Sequence, residues 1–357
     1  MDDPSAPVPP AAAPAPAGRP LLEVENLAVE FSTEHGPVQV AREVSFTVHA
    51  GETFGLVGES GSGKTVTSLA LLGMVDGPGG RVPEGSVRLD GRELRGLPRR
   101  ELRKVRGRRI GMIFQESRRS LDPAFTVGDQ IAETVRAHLG LSRRDAGKRA
   151  VEMLELVGIP AARRRVREYP HQFSGGMAQR VMLAIALSCS PELLIADEPT
   201  TALDVTAQSQ VLRLIRDLQD ELGLAVLFIS HDLGVIAQMC DRVAVMYAGQ
   251  IVEQAPAEDL FLRPRHPYTA ALLRSIPDVH TGGGTGGGTG GGTGGELVAI
   301  PGVVPPAHAW PAGCRFHPRC AHAGDRCASE PPALVPVGGG ALVRCLLRDA
   351  LALEGVR

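Results

Sequence analysis

The eight residues Gly58-Glu59-Ser60-Gly61-Ser62-Gly63-Lys64-Thr65 have the spacing of a loop that wraps phosphate. Its glycines let successive backbone N–H groups converge on phosphate oxygens, and a helix starting at its end adds a favourable dipole. Lys64 is placed to pair with β and γ phosphates, and Thr65 to bind Mg²⁺. Lysine is informative by type here, because only three of the 38 basic residues are Lys. A second chemical feature is Ile195-Ala196-Asp197-Glu198, which ends an apolar run and so sets two carboxylates at the carboxyl edge of a sheet. Asp197 suits the Mg²⁺ shell, and Glu198 suits a base that polarises the attacking water.

The flanking text supplies elements that can position these groups. Residues 23–31, 44–48 and 53–57 read as strands, 63–74 as a helix directly after the phosphate loop, and 86–94 as a hairpin about Asp90-Gly91. A mainly helical stretch covers 127–187, with Ser142 and Asp145 spaced as a capping box. Buried-type strands return at 193–196 and 224–229, separated by a helix over 205–222. The alternation predicts an α/β fold with a parallel sheet covered on both faces, and makes the helical stretch an insertion between core strands.

The peptide Phe173-Ser174-Gly175-Gly176-Met177-Ala178-Gln179-Arg180, about twenty residues before the acidic pair, resembles the signature motif of the ATPase subunit of ATP-binding cassette (ABC) transporters. Ser174, Gly175 and Gly176 opening a helix make a second phosphate-binding N-terminus, suited to a γ-phosphate presented by another subunit. Further positions match one by one: Gln115 after a strand at 110–114, Asp204 in Thr201-Ala202-Leu203-Asp204, and His231 after a strand ending at Ser230. The resemblance spans roughly 21–256. It implies a P-loop NTPase (RecA-like) core with an antiparallel β subdomain and an inserted helical subdomain. It also implies that Gln115 touches Mg²⁺ or water and senses a membrane partner, that Asp204 links two sites, that His231 holds the γ-phosphate, and that Phe31 stacks on adenine. ATP would lie between the phosphate loop of one chain and Ser174–Gly176 of another, paired head to tail.

Residues 114–127, Tyr169-Pro170-His171-Gln172 and Arg265-His266-Pro267-Tyr268-Thr269 look like the ATPases of dipeptide and oligopeptide importers, with 257–280 as the helical extension of that group. The His-Pro-Tyr element also has the form of a helix start with Pro at its first position. The family implies a second ABC ATPase subunit, two transmembrane permease subunits, an extracytoplasmic substrate-binding protein, and a place on the cytoplasmic face of the membrane.

Two segments read as non-globular. Residues 1–20 hold seven Pro and six Ala without apolar periodicity, a disordered tail. Residues 281–295 are Thr-Gly repeats with 11 Gly, a flexible linker spanning roughly 20 Å. Beyond it, 296–357 reads as a small tethered module containing Trp310 and Cys314, Cys320, Cys327 and Cys345, which needs a staple for rigidity. The cysteine spacings fit neither a paired C-x-x-C zinc site nor a compact ferredoxin run, which leaves a [4Fe-4S] cluster, Zn²⁺ or free thiols open. The stretch from Cys314 to Cys320 is similar to C-terminal segments of peptide-importer ATPases, some of which carry an iron–sulfur cluster.

Composition narrows the classes. The chain of 357 residues is 43% hydrophobic with a formal charge of -2, so a sizeable core is available and no global attraction to nucleic acid or anionic membrane exists. No apolar run approaches the roughly 20 residues that cross a bilayer, which points to a cytosolic chain whose spanning partners are other polypeptides. Residues 92–119 carry eleven basic against three acidic residues, but without interleaved aromatics they read as a solvated helix face rather than a nucleic-acid site. The competing function is a soluble ABC-type ATPase acting in nucleic-acid or iron–sulfur metabolism.

Overall fold

Burial of alternate residues shapes the first sheet, in which Leu22, Val24, Leu27 and Val29 of the strand Pro20–Thr33 turn inward to face Val44, Phe46 and Val48 of Gly36–His49. The computed structural model describes residues 19–34, 36–75, 79–115, 120–201, 203–275 and 300–355. Most of the N-terminal tail and the whole Thr-Gly linker lie outside the described residues. The antiparallel sheet runs in the order Gly36–His49, Pro20–Thr33, Ser86–Leu89, Arg92–Glu93, with Gly80–Arg81 pairing the long strand beside them. The turn at Asp90-Gly91 has positive φ at both residues, 52° and 73°, as a tight two-residue hairpin requires.

The second sheet carries the chemistry. Every residue of Thr53–Val57, Leu193–Asp197 and Ala225–Ser230 is buried, the signature of strands covered on both faces. Arg242–Tyr247, Thr53–Val57, Ala225–Ser230, Leu193–Asp197 and Ile110–Ile113 lie side by side and parallel in that order. The phosphate loop therefore leaves a central strand, and the segments bearing His231, Asp197-Glu198 and Gln115 leave the three strands beyond it on one side.

The inserted helices Val127–Leu139, Arg143–Leu156 and Gly175–Leu187 begin at Thr126, Ser142 and Ser174, whose side chains accept from the N–H groups of Asp129, Asp145 and Met177. Their apolar faces join the sheet in one core through Ile131, Val135, Met153 and Leu183. Each such side chain contributes about 1.5–3 kcal/mol on full burial.

The C-terminal residues depart from the tethered module that the sequence suggests. Leu342–Val343 pairs antiparallel with Gln250–Pro256, Glu253 opposite Val343, and extends the main sheet. Phe316 packs with its ring centroid 5.2 Å from those of Tyr247 and Tyr268. Arg344, buried, donates to Ile251 O and to the Glu43 carboxylate of the antiparallel sheet. The physical reason is that Gln250–Pro256, buried along most of its length, would otherwise present an unpaired edge. Linker composition cannot reveal where its far end docks.

The basic stretch is in the main the solvated helix face expected, with Arg99, Arg100, Arg103 and Lys104 exposed on the helix Arg99–Val105. Beyond that helix, Arg106 donates to Leu72 O and Gly73 O, Arg108 to Cys189 O, and Arg109 to Glu192, so these arginines also fasten chain segments. Arg118 and Arg119 lie outside the described residues.

Candidate nucleotide site

The phosphate loop folds against the neighbouring strand so closely that glycine is obligatory at two positions. At Gly58, φ is 158° and a Cβ would stand 2.1 Å from Met246 O; at Gly63, φ is 103° and a Cβ would meet Val40 O at 3.0 Å. Gly63 is also the N-cap of the helix Lys64–Leu71, so the loop ends on free N–H groups. Ser62 Oγ is buried there without a hydrogen-bond partner among the described residues.

Lys64 is buried, and its Nζ donates to the loop's own carbonyls, Gly58 O at 2.7 Å and Glu59 O at 3.1 Å. Burial lowers its pKa from the ordinary lysine value, against the opposing pull of the Glu198, Asp197 and Glu59 carboxylates. Thr65 Oγ1 donates to Asp197 Oδ1 at 3.3 Å. Burial raises the Asp197 carboxyl to about 6, and neighbouring Glu198 adds to the shift, while Thr65 and Lys64 oppose it. Thr65 and Asp197 thus form a pair of hard oxygen donors of the kind Mg²⁺ takes.

Glu198 is the most constrained residue of the site. Its φ of 48° is left-handed for a residue with a Cβ, and its N–H donates to Ile229 O at 2.9 Å. Gln115 Nε2 and Thr201 Oγ1 each donate to Glu198 Oε2 at 2.9 Å, and His231 Nδ1 lies 3.2 Å from Oε1. Burial pushes this carboxyl up, but the Thr201 and His231 hydrogen bonds and the electrostatic influence of His231 and Lys64 outweigh it, and the pKa falls below the usual value.

Ser174–Gly176 opens its helix elsewhere, with Gly175 3.5 Å from Leu203 Cδ2 and Gly176 3.4 Å from Ala207 Cβ when a Cβ is placed on each. Asp204 caps the helix Val205–Leu222 by accepting from Ala207 N at 2.9 Å. Among the described residues no hydrogen bond joins Ser174–Gly176 or Asp204 to the phosphate loop. Phe31 is half-buried, packed against the apolar core of the antiparallel sheet.

Sequence reasoning missed three residues of this neighbourhood. Thr201 sits inside a motif but carries no signal of its own in the sequence. Tyr268, of the His-Pro-Tyr element, accepts at its hydroxyl from Glu59 N–H at 3.0 Å, and Arg319 Nη1 lies 3.0 Å from Glu59 Oε2. With 209 and 260 residues separating these partners, no local signal could have found them.

Cys314, Cys320, Cys327 and Cys345 line one small cavity with His317 and Leu347, of about 10 Å³. All four are free thiols. Burial pushes Cys314 up to about 11 and raises Cys320 and Cys345 as well. No group of three His, Cys, Asp or Glu among the described residues is arranged to share a single metal ion.

Fold and site together define a P-loop ATPase of the ABC cassette type. Residues 41–201 match the family described as ABC transporter, and 252–327 match the oligopeptide/dipeptide transporter C-terminal region. The oligopeptide transport ATP-binding protein AppD of Bacillus subtilis is 48% identical over 334 residues, 94% of this chain and 98% of that one. A probable peptide ABC transporter ATP-binding protein of Sinorhizobium fredii is 50% identical over 325 residues, 91% of this chain and 94% of that one. Among solved structures, the dimeric bacterial ABC transporter cassette MJ0796 superimposes with a TM-score of 0.59 at 28% identity, over 66% of this chain and 99% of that one. The same cassette is also known as a post-hydrolysis dimer with ADP and Pi, again at a TM-score of 0.59. The chain belongs to the ATP-binding subunits of ABC transporters, in the oligopeptide and dipeptide branch.

Proposed function

We propose that this subunit hydrolyses ATP at the carboxyl edge of its parallel sheet and thereby drives peptide import through separate membrane subunits. The observation that carries the reading is the convergence on Glu198 of Gln115, Thr201 and His231, beside the Lys64–Thr65–Asp197 group. Backbone N–H groups of residues 58–65 cradle the phosphates, with Phe31 under the adenine. Lys64 exchanges its two loop carbonyls for β and γ oxygens. Glu198, ionised at neutral pH, accepts a proton from the attacking water at Oε1 or Oε2 while His231 orients it and holds the γ-phosphate.

The donors present fit Mg²⁺, which Thr65 and Asp197 would hold with Gln115 nearby. Bound there, it would neutralise charge on the β and γ oxygens.

Ser174–Gly176 forms no hydrogen bond with the phosphate loop of its own chain, which supports a composite site completed by a second ATPase subunit, head to tail, with Asp204 between the two. The dimeric solved relatives add to this. Exposed Phe125 and Tyr169 on the helical insertion offer apolar contacts to a permease at the cytoplasmic face of the membrane. Among the described residues no helix is long and apolar enough to cross a bilayer. An extracytoplasmic binding protein would deliver the peptide.

The four cysteines share one small cavity, and no group of three ligands among the described residues has single-ion geometry, so their arrangement as it stands favours neither zinc nor a cluster. A [4Fe-4S] cluster held by Cys314, Cys320, Cys327 and Cys345 would supply a covalent staple to this part of the fold.

The test is reconstitution of the subunit with its permeases and binding protein in liposomes. With binding protein outside, peptide should accumulate in the lumen only when ATP is enclosed there and only with an intact Glu198. ATP turnover without uptake of any peptide, together with co-purification of nucleic acid, would instead favour the soluble-ATPase reading.

A further inference from the structure

Glu59 presents a difficulty that its motif does not resolve. Its carboxylate belongs to the loop that must receive a polyanion, and an unpaired negative charge there opposes phosphate binding. The remedy comes from the far end of the chain. Arg319 Nη1 reaches both Glu59 oxygens, at 3.2 and 3.0 Å. The Arg319 side chain is only 6% exposed, and that of Glu59 27%.

The arginine is itself held on every side. Its Nε donates to Pro301 O at 2.7 Å, Nη1 lies 3.4 Å from Tyr247 Oη, and the guanidinium sits 5.7 Å from the Tyr247 ring centroid. Tyr268 stands on the other side of the same loop residue, its hydroxyl accepting from Glu59 N–H at 3.0 Å. Glu59 O in turn accepts from Lys64 Nζ. A continuous chain of contacts thus runs from the C-terminal segment through Glu59 to the phosphate-binding lysine.

We propose that Arg319 is a positioning residue of the ATP site, which neutralises Glu59 and holds it aside so that the phosphate loop can accept a triphosphate. The C-terminal segment is thereby a working part of the nucleotide site. Arg319 immediately precedes Cys320, so the turn that grips Glu59 also lines the cysteine cavity.

The inference rests on the phosphate loop being the ATP site, and the experiment separates the two. Binding of a fluorescent ATP analogue and steady-state ATPase rates are measured for the full chain, Arg319→Ala and Arg319→Lys, each alone and with Glu59→Gln, and Lys64→Ala. Arg319→Ala should weaken binding about tenfold and raise KM to match, with kcat at saturation within about twofold, the size expected for losing one charge-assisted contact. Adding Glu59→Gln should recover most of that affinity, because a neutral side chain no longer opposes the phosphates. A general structural role for Arg319 would leave the double variant as weak as the single one and would overturn the proposal, as would unchanged affinity in Arg319→Ala.

Should Arg319→Ala not fold, Arg319→Lys carries the test: it keeps one charge but loses the fork shared by Pro301, Tyr247 and Glu59. A smaller loss of affinity that Glu59→Gln reverses supports the assignment, and no loss overturns it. If Lys64→Ala binds as well as the unaltered chain, the phosphate loop itself is misassigned.

Discussion

His231 Nδ1 stands 3.2 Å from Glu198 Oε1, so two residues from neighbouring parallel strands meet at one carboxylate. The glutamate is 11% exposed at its side chain and the histidine 60%, which leaves the pair open on the histidine side. The backbone at Glu198 is left-handed, a conformation that costs about 1–3 kcal/mol where a Cβ is present. That cost is tolerated because the strain aims the carboxylate outward from the strand end. Glu198→Gln should keep ATP binding within about twofold, lower turnover by about 10²–10⁴-fold, and accumulate an ATP-bound dimer measurable by light scattering. Turnover at the unaltered rate would remove Glu198 from the chemistry.

Lys64→Ala should act on binding rather than on turnover alone. The side chain is the buried cation of the loop, and its loss should weaken ATP affinity at least about tenfold. Titration calorimetry reads this directly, and equal affinity in the two proteins contradicts the assignment.

A pH dependence follows from Asp197. Burial raises its folded-state pKa to about 6 from an ordinary value of 3.8. The folded chain therefore holds more protons than the unfolded chain between those values, and stability falls as pH rises from about 4 to about 6, by at most about 3 kcal/mol. Nucleotide binding has the opposite sense. Protonated Asp197 cannot serve Mg²⁺, so Mg²⁺-dependent affinity should fall as pH drops through about 6. Asp197→Asn should flatten the stability profile in this window, and thermal melts across it provide the check.

Asp204 has one observed role and one proposed role, and substitution can part them. Its side chain caps the helix Val205–Leu222, and Asp204→Ala should cost about 1 kcal/mol, whereas Asp204→Asn should preserve the cap. If Asp204 also links two composite sites, the Asn variant will melt like the unaltered chain yet show weaker cooperativity in ATP hydrolysis. Unaltered cooperativity restricts Asp204 to capping.

The cysteine cavity yields an analytical prediction. If the four cysteines hold a cluster, protein prepared without oxygen should contain iron and acid-labile sulfide in stoichiometric amounts, both reduced in Cys314→Ser. Zinc without iron, or neither metal, would return the four residues to buried thiols.

Much of the catalytic half was legible before any coordinates, because its determinants are local. The strand Thr53–Val57, the loop with its glycines and the helix from Lys64 are consecutive in the chain. Loop conformation there follows from φ values that only glycine adopts freely, and the apolar strand before Asp197 announces a buried strand end by its composition alone. The cap at Ser142 was equally readable, since Ser142 and Asp145 lie only three positions apart.

What the chain order could not disclose was which distant segments close on the site. The pairing of Leu342–Val343 with Gln250–Pro256, the burial of Phe316 against Tyr247 and Tyr268, and the grip of Arg319 on Glu59 all cross long separations. Pairing across such distances leaves no periodicity in the sequence, because it depends on the shape and unmet hydrogen bonds of a surface that exists only once the core has folded. Residue type and spacing therefore determined that the chain carries an ATPase phosphate loop and which residues form it. Tertiary structure alone decided that the C-terminal segment, which reads as a tethered appendage, is built into the same sheet and holds the phosphate loop from behind.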